Sequence, residues 1–179
     1  MKVKTLLEGK PFMTEYGIVG YSTVVLIACD DEKNILYDCG SKGCALQLKE
    51  ALEKAGMKPE DITHVVISHL HFDHVGNLPL FSDAEILLNK IEWESANQTP
   101  DEWHSIQTLA YLEKRGNLRF VKEGDIISEE VSVMELPGHT PGLIGLRCGA
   151  ETILCSDAMK NRYELWKNIP LMSQNLEQS

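Results

Sequence analysis

The feature that most constrains this chain is the apolar run Ile62 to Ser68 (ITHVVIS) passing directly into S-H-L-H-F-D-H-V-G-N. A run apolar enough to be buried on both faces reads as the central strand of an α/β sheet. Loops leaving the carboxyl ends of such strands converge on a crevice, so the histidines that follow are placed where chemistry is usually done. His69, His71 and Asp73 alternate, and His74 comes immediately after. In an extended loop that then turns, His69 and His71 face one way and can share an ion, while Asp73 and His74 reach a second. Four potential ligands within six residues set these apart from His64 and His104, which read as solvated or satisfied groups. Imidazole with carboxylate suits zinc, iron or manganese, whereas calcium asks for oxygen ligands alone.

Two later positions complete the candidate site. His139 in E-L-P-G-H-T-P-G is bracketed by prolines and glycines that fix a tight turn, and Asp157 ends the apolar run I-L-C-S-D. A three-histidine group with a carboxylate able to bridge two cations is the expectation.

Around this site the chain reads as two groups of strands with helices outside. Thr23 to Cys29 and Ile35 to Asp38 form a hairpin about the polar turn Asp30 to Asn34. Ala45 to Ala55 has helical spacing, and Gly56 stands where a helix ends in the left-handed conformation. Further strands are expected at Ala84 to Leu88, Leu118 to Val121, Val131 to Leu136, Leu143 to Cys148 and Thr152 to Cys155. Helices are expected at Ile91 to Ala96 and Ser105 to Arg115. No repeat or linker interrupts the 179 residues, so residues 1–179 are read as one domain, two sheets packed face to face between helical layers.

These motifs resemble the metallo-β-lactamase superfamily, whose HxHxDH signature is His69, His71, Asp73 and His74. The resemblance extends to the Asp-x-Gly turn at Asp38 and Gly40, the PGHTPG turn with His139, and the strand-end Asp157. It implies an α/β (α+β) fold, the αββα four-layer sandwich. One metal would be held by His69, His71 and His139, and a second by Asp73, His74 and bridging Asp157. Hydroxide on the metal would attack, with Asp73 as the catalytic carboxylate that orients it and carries a proton to the leaving group. One or two zinc ions are expected, iron or manganese being the other choices. The resemblance also implies a further histidine after the bridging aspartate, but no histidine follows His139. The chain therefore reads as lacking the usual carboxyl-terminal segment, with a weaker second site and an uncovered sheet that favours a homo-oligomer.

The implied function is a metal-dependent hydrolase of a small ester, thioester or lactone. S-H-L-H-F-D-H-V-G-N is similar to the corresponding stretch of acyl-homoserine lactonases, although Lys160 stands where those carry a tyrosine. Iron-dependent oxidation on the same fold, or a vestigial metal-binding domain, are the alternatives. A net charge of −10, with no Lys/Arg cluster, opposes nucleic acid as partner. No stretch approaches the roughly 20 apolar residues of a membrane span, and the start resembles no secretory signal. Five cysteines, odd in number, read as reduced thiols. A soluble cytoplasmic protein with a small-molecule substrate is expected.

Overall fold

The computed structural model describes residues 1–15, 17–170 and 172–179. The chain opens with strand β1 (Lys2–Leu7), followed by a short hairpin of β2 (Met13–Thr14) and β3 (Gly17–Ile18). The expected hairpin is β4 (Val24–Ala28) and β5 (Asn34–Tyr37). Helix α1 (Ala45–Lys54) ends at Gly56, whose φ of 76° is the left-handed value predicted for it. Then come β6 (His64–Val66), the single-turn α2 (Phe72–Val75) and β7 (Glu85–Asn89). Helices α3 (Lys90–Gln98) and α4 (Ile106–Lys114) follow, the latter capped by Ser105. The second half is β8 (Leu118–Val121), β9 (Ile126–Ser128), β10 (Val131–Glu135), β11 (Ile144–Cys148), β12 (Thr152–Leu154) and α5 (Arg162–Lys167).

Six strands form one sheet in the order β1-β4-β5-β6-β7-β8, antiparallel on the β1 side and parallel from β5 to β8. Four form the other, β12-β11-β10-β9, antiparallel throughout. β6 lies between two parallel neighbours, as its apolar character requires.

Side-chain alternation separates two apolar layers. Val24, Leu26, Leu36, Val65 and Ile67 point to one face of the larger sheet and pack with Leu48 and Leu52 of α1, Ala96 of α3 and Leu112 of α4. Val25, Ile27, Ile35, Tyr37 and Val66 point to the other and pack with Val131, Val133, Ile144 and Leu146 of the smaller sheet. Burying about 25 cal/mol for every Å² of apolar surface on both faces is what makes these strands continuous hydrophobic runs. The expected stack of two sheets is therefore present, with α1, α3 and α4 covering the outer face of the larger sheet. The outer face of the smaller sheet carries Arg147 and Ile153, both exposed. Among the described residues no helix is long and apolar enough to cross a membrane.

The two sheets are also stitched by polar groups at one end. The Tyr37 hydroxyl donates to the Ile144 carbonyl at 2.8 Å, and the Ile144 N–H donates to the Ser68 carbonyl at 2.9 Å. The loop after β6 and the turn between β10 and β11 are thereby held side by side.

Candidate metal centre

β6 delivers His69 and His71 on an extended loop, and α2 begins at Phe72, so Asp73 and His74 lie on its single turn. The turn between β10 and β11 brings His139, and the loop after β12 brings Asp157. His69, His71 and His139 offer nitrogens that all lie within 4.8 Å of one another, and His69, His74 and Asp157 form a second such group. Asp73 stands beside them, its carboxylate 3.6 Å from His74 Nε2, while Asp157 Oδ1 is 3.4 Å from the same nitrogen. Asp157 Oδ2 lies 3.5 Å from His139 Nε2, so this carboxylate reaches both groups. All six residues singled out in the sequence converge.

The charge environment separates the two halves of the cluster. Burial, reinforced by the neighbouring imidazoles, pushes the pKa of His69 well below 6.5 and that of His71 below it too, leaving neutral rings with free lone pairs. His139 is lowered by burial as well. His74 goes the other way. Burial opposes its charge, but Asp38 at 2.8 Å, then Asp157 and Asp73, pull it up to about 9. Burial raises the Asp73 carboxyl above its usual range.

Several observations fit a bound cation. His69 Nε2 is buried with no hydrogen-bond partner, a costly state for an imidazole unless a ligand meets it. His139 Nδ1 faces the Met172 carbonyl, which only accepts, so Nδ1 carries the hydrogen and the lone pair sits on Nε2. That Nε2 is 3.2 Å from His71 Nδ1. Tetrahedral zinc with Zn–N of about 2.0–2.1 Å places two ligand nitrogens about 3.3 Å apart, close to this separation.

Partners outside the two ligand groups hold the ligands. Asp38, at φ 57°, accepts from the Ser68 N–H and hydroxyl, each at 2.8 Å, and from the Ser156 hydroxyl at 3.1 Å. Glu92, buried in α3, accepts the Leu70 N–H at 2.9 Å and the Gly142 N–H at 3.1 Å, tying the first histidine loop to the His139 turn. A Cβ on Gly142 would strike the Glu92 backbone, so glycine is needed for this approach. His64 behaves as the sequence suggested, meeting Thr63 at 2.7 Å and Glu85 at 3.6 Å. His104 does not lie apart. Its side chain is largely enclosed, its backbone bridges that of His71, and with His71 and Asp101 it makes a third group of potential ligands. Its signal in the sequence was a lone histidine in an unpatterned loop.

A cavity of about 490 Å³ opens over the cluster, reaching His71, Asp73, His74, His139 and Asp157. Its walls include Tyr21, Phe72, Trp103, Met159, Lys160 and Met172. Lys160 Nζ is 3.8 Å from Asp157 Oδ2 and 3.4 Å from His139 Nδ1.

Two β-sheets joined by a histidine and carboxylate cluster at one end, under an open cavity, define a class of metal-binding α/β sandwich. The chain belongs to the metallo-beta-lactamase superfamily, which it matches over residues 17–156. It is 33% identical over 112 residues to metallo-beta-lactamase domain-containing protein 1 of Xenopus laevis, covering 63% of this chain and 42% of that protein. It is 37% identical over 92 residues to an N-acyl homoserine lactonase of Bacillus cereus, covering 51% of this chain and 34% of that one. The chain thus spans less than half the length of these relatives. Among solved structures, a mutant of B. thuringiensis AiiA with N-decanoyl-L-homoserine bound superposes with a TM-score of 0.75, at 20% identity, over 90% of this chain and 73% of that one.

Proposed function

We propose that this chain is a metal-dependent hydrolase of small esters, thioesters or lactones. The observation that carries the reading is the meeting of three neutral histidines with a second histidine–carboxylate group at the floor of an apolar-walled cavity. His69, His71 and His139 would hold one cation. Asp73 and His74 would hold the other, with Asp157 between the two. A divalent cation held there would lower the pKa of water far enough to make hydroxide available near neutral pH and would polarise an acyl oxygen, so that no serine or cysteine nucleophile is needed. Zinc is the ion that the imidazole-rich donor set favours.

The chain's own residues supply the rest. Asp73, whose carboxyl burial pushes upward, would orient the attacking water and pass a proton to the leaving group. Tyr21, Phe72 and Trp103 give the cavity an apolar wall against which an acyl chain packs and from which water is excluded. The resemblance to an N-acyl homoserine lactonase favours lactones among the substrates. An acidic chain without a basic cluster favours a small organic substrate over nucleic acid.

The test is zinc content and lactone or thioester cleavage in the wild-type chain and in His71→Ala. Both zinc in the first site and turnover should fall together, by on the order of a hundredfold or more in affinity. Cleavage that persists in a zinc-free His71→Ala protein would sink the proposal, and iron content with oxygen consumption would replace it by oxidation. Titration of the metal-free chain should show one tight ion and one weaker, because the second group has a single histidine of its own. Two equally tight ions would contradict that ordering.

A further inference from the structure

The loop between α3 and α4, which gives the cavity wall its Trp103, is drawn onto the metal centre, although its Asp101 and His104 have no part in the proposed chemistry. His104 pairs backbone to backbone with His71, the Phe72 N–H donates to the Trp103 carbonyl at 2.8 Å, and the Phe72 and Trp103 rings stack. This docking carries the Asp101 carboxylate to the far side of the His71 ring, where Oδ2 lies 3.4 Å from Nε2. That nitrogen is buried and makes no hydrogen bond, so the Asp101 carboxylate stands beside it as a charged neighbour within reach. Asp101 is itself fixed. Its Oδ1 accepts the Trp103 N–H at 2.9 Å and lies 2.8 Å from His104 Nδ1, and its Oδ2 accepts from Gln174 at 3.0 Å.

We propose that Asp101 is a positioning residue for the first metal site, holding His71 with the hydrogen on Nε2 so that the Nδ1 lone pair faces His69 and His139. A carboxylate only accepts, so its place beside Nε2 selects the tautomer in which Nδ1 is bare. His139 Nε2 is bare too, because Nδ1 gives its hydrogen to Met172. Two lone pairs 3.2 Å apart repel, and a cation between them turns that repulsion into ligation. A carboxylate behind a ligating imidazole also raises its basicity, and removing such a partner commonly costs 10–100-fold in metal affinity. The His104 ring packs edge-on against that of His71, centroids 5.3 Å apart, and its side chain is itself largely enclosed.

This inference rests on the metal-centre reading above, and its test separates the two. In the zinc-loaded chain, long-range proton–nitrogen NMR on labelled histidine should show His71 protonated at Nε2, with a slowly exchanging downfield proton. In Asp101→Ala the zinc dissociation constant should rise roughly 10–100-fold and that proton should exchange freely. Asp101→Asn keeps an acceptor oxygen and should fall between. Circular dichroism and the unfolding midpoint of the metal-free variants control for general damage, which would not move the tautomer signal. Zinc bound as tightly by Asp101→Ala as by wild type overturns the proposal. So does a wild-type His71 with Nε2 bare, the state expected if an ion sat instead among His71, Asp101 and His104. Failure of the wild-type chain to take up zinc overturns the metal-centre reading and this inference with it, whereas uptake with an unchanged Asp101→Ala affinity overturns this inference alone.

Discussion

Asp38 shows how much of the centre depends on side chains outside the two candidate ligand groups. It is buried, it accepts from Ser68 and Ser156, and it stands 2.8 Å from His74. Asp38→Ala strands those donors and leaves His74 without its nearest counter-charge, a loss of roughly 3–5 kcal/mol that urea unfolding should register. In the metal-free protein His74 has a folded pKa of about 9 against 6.5, so its contribution to stability is complete below about pH 6.5 and is lost as pH rises through 9. Denaturant unfolding of the metal-free chain at pH 6 and at pH 9.5 should therefore differ by up to about 3 kcal/mol, the lower pH being the more stable. A flat profile would mean that His74 is neutral throughout. His69, His71, Asp73 and His74 were legible in the sequence because they crowd into six positions. Asp101, Glu92 and Ser156 were not, because each is a single polar residue whose partner lies far along the chain.

At the scale of elements, α3 does more than cover the sheet. Its Glu92 binds the N–H groups of two loops that come from different sheets, and each carboxylate oxygen takes one. Glu92→Gln should destabilise by about 1–3 kcal/mol, since the amide nitrogen must face an N–H and one buried donor loses its acceptor. Thermal unfolding of the metal-free variant checks this, and a midpoint equal to wild type would show that a rearranged loop satisfies the donor. Strand prediction succeeded for β4 to β8 and β10 to β12 within a residue or two, because burial on one or both faces writes apolar residues into them. It missed β1, whose Lys2, Val3, Lys4 and Thr5 are exposed on a sheet edge, and β9, three residues long and separated from β10 by a two-residue turn. Edge strands carry few hydrophobic contacts, so their sequences keep little trace of the pairing.

Over the whole molecule, a ligand that binds only the folded state adds RT ln(1 + [L]/Kd), about 2.7 kcal/mol at a hundredfold excess over Kd. Zinc should raise the unfolding midpoint of this chain and a chelator should lower it, and differential scanning calorimetry will show no shift if the centre binds no ion. The first group also takes two imidazoles from the loop after β6 and one from the turn between β10 and β11, so its members belong to opposite halves of the sandwich. A cation captured there acts as a rivet through both halves. Contacts so distant along the chain form late in folding, and uptake of the ion should then serve as a clock for the moment when the halves clap together, lagging the first rise of strand signal during refolding.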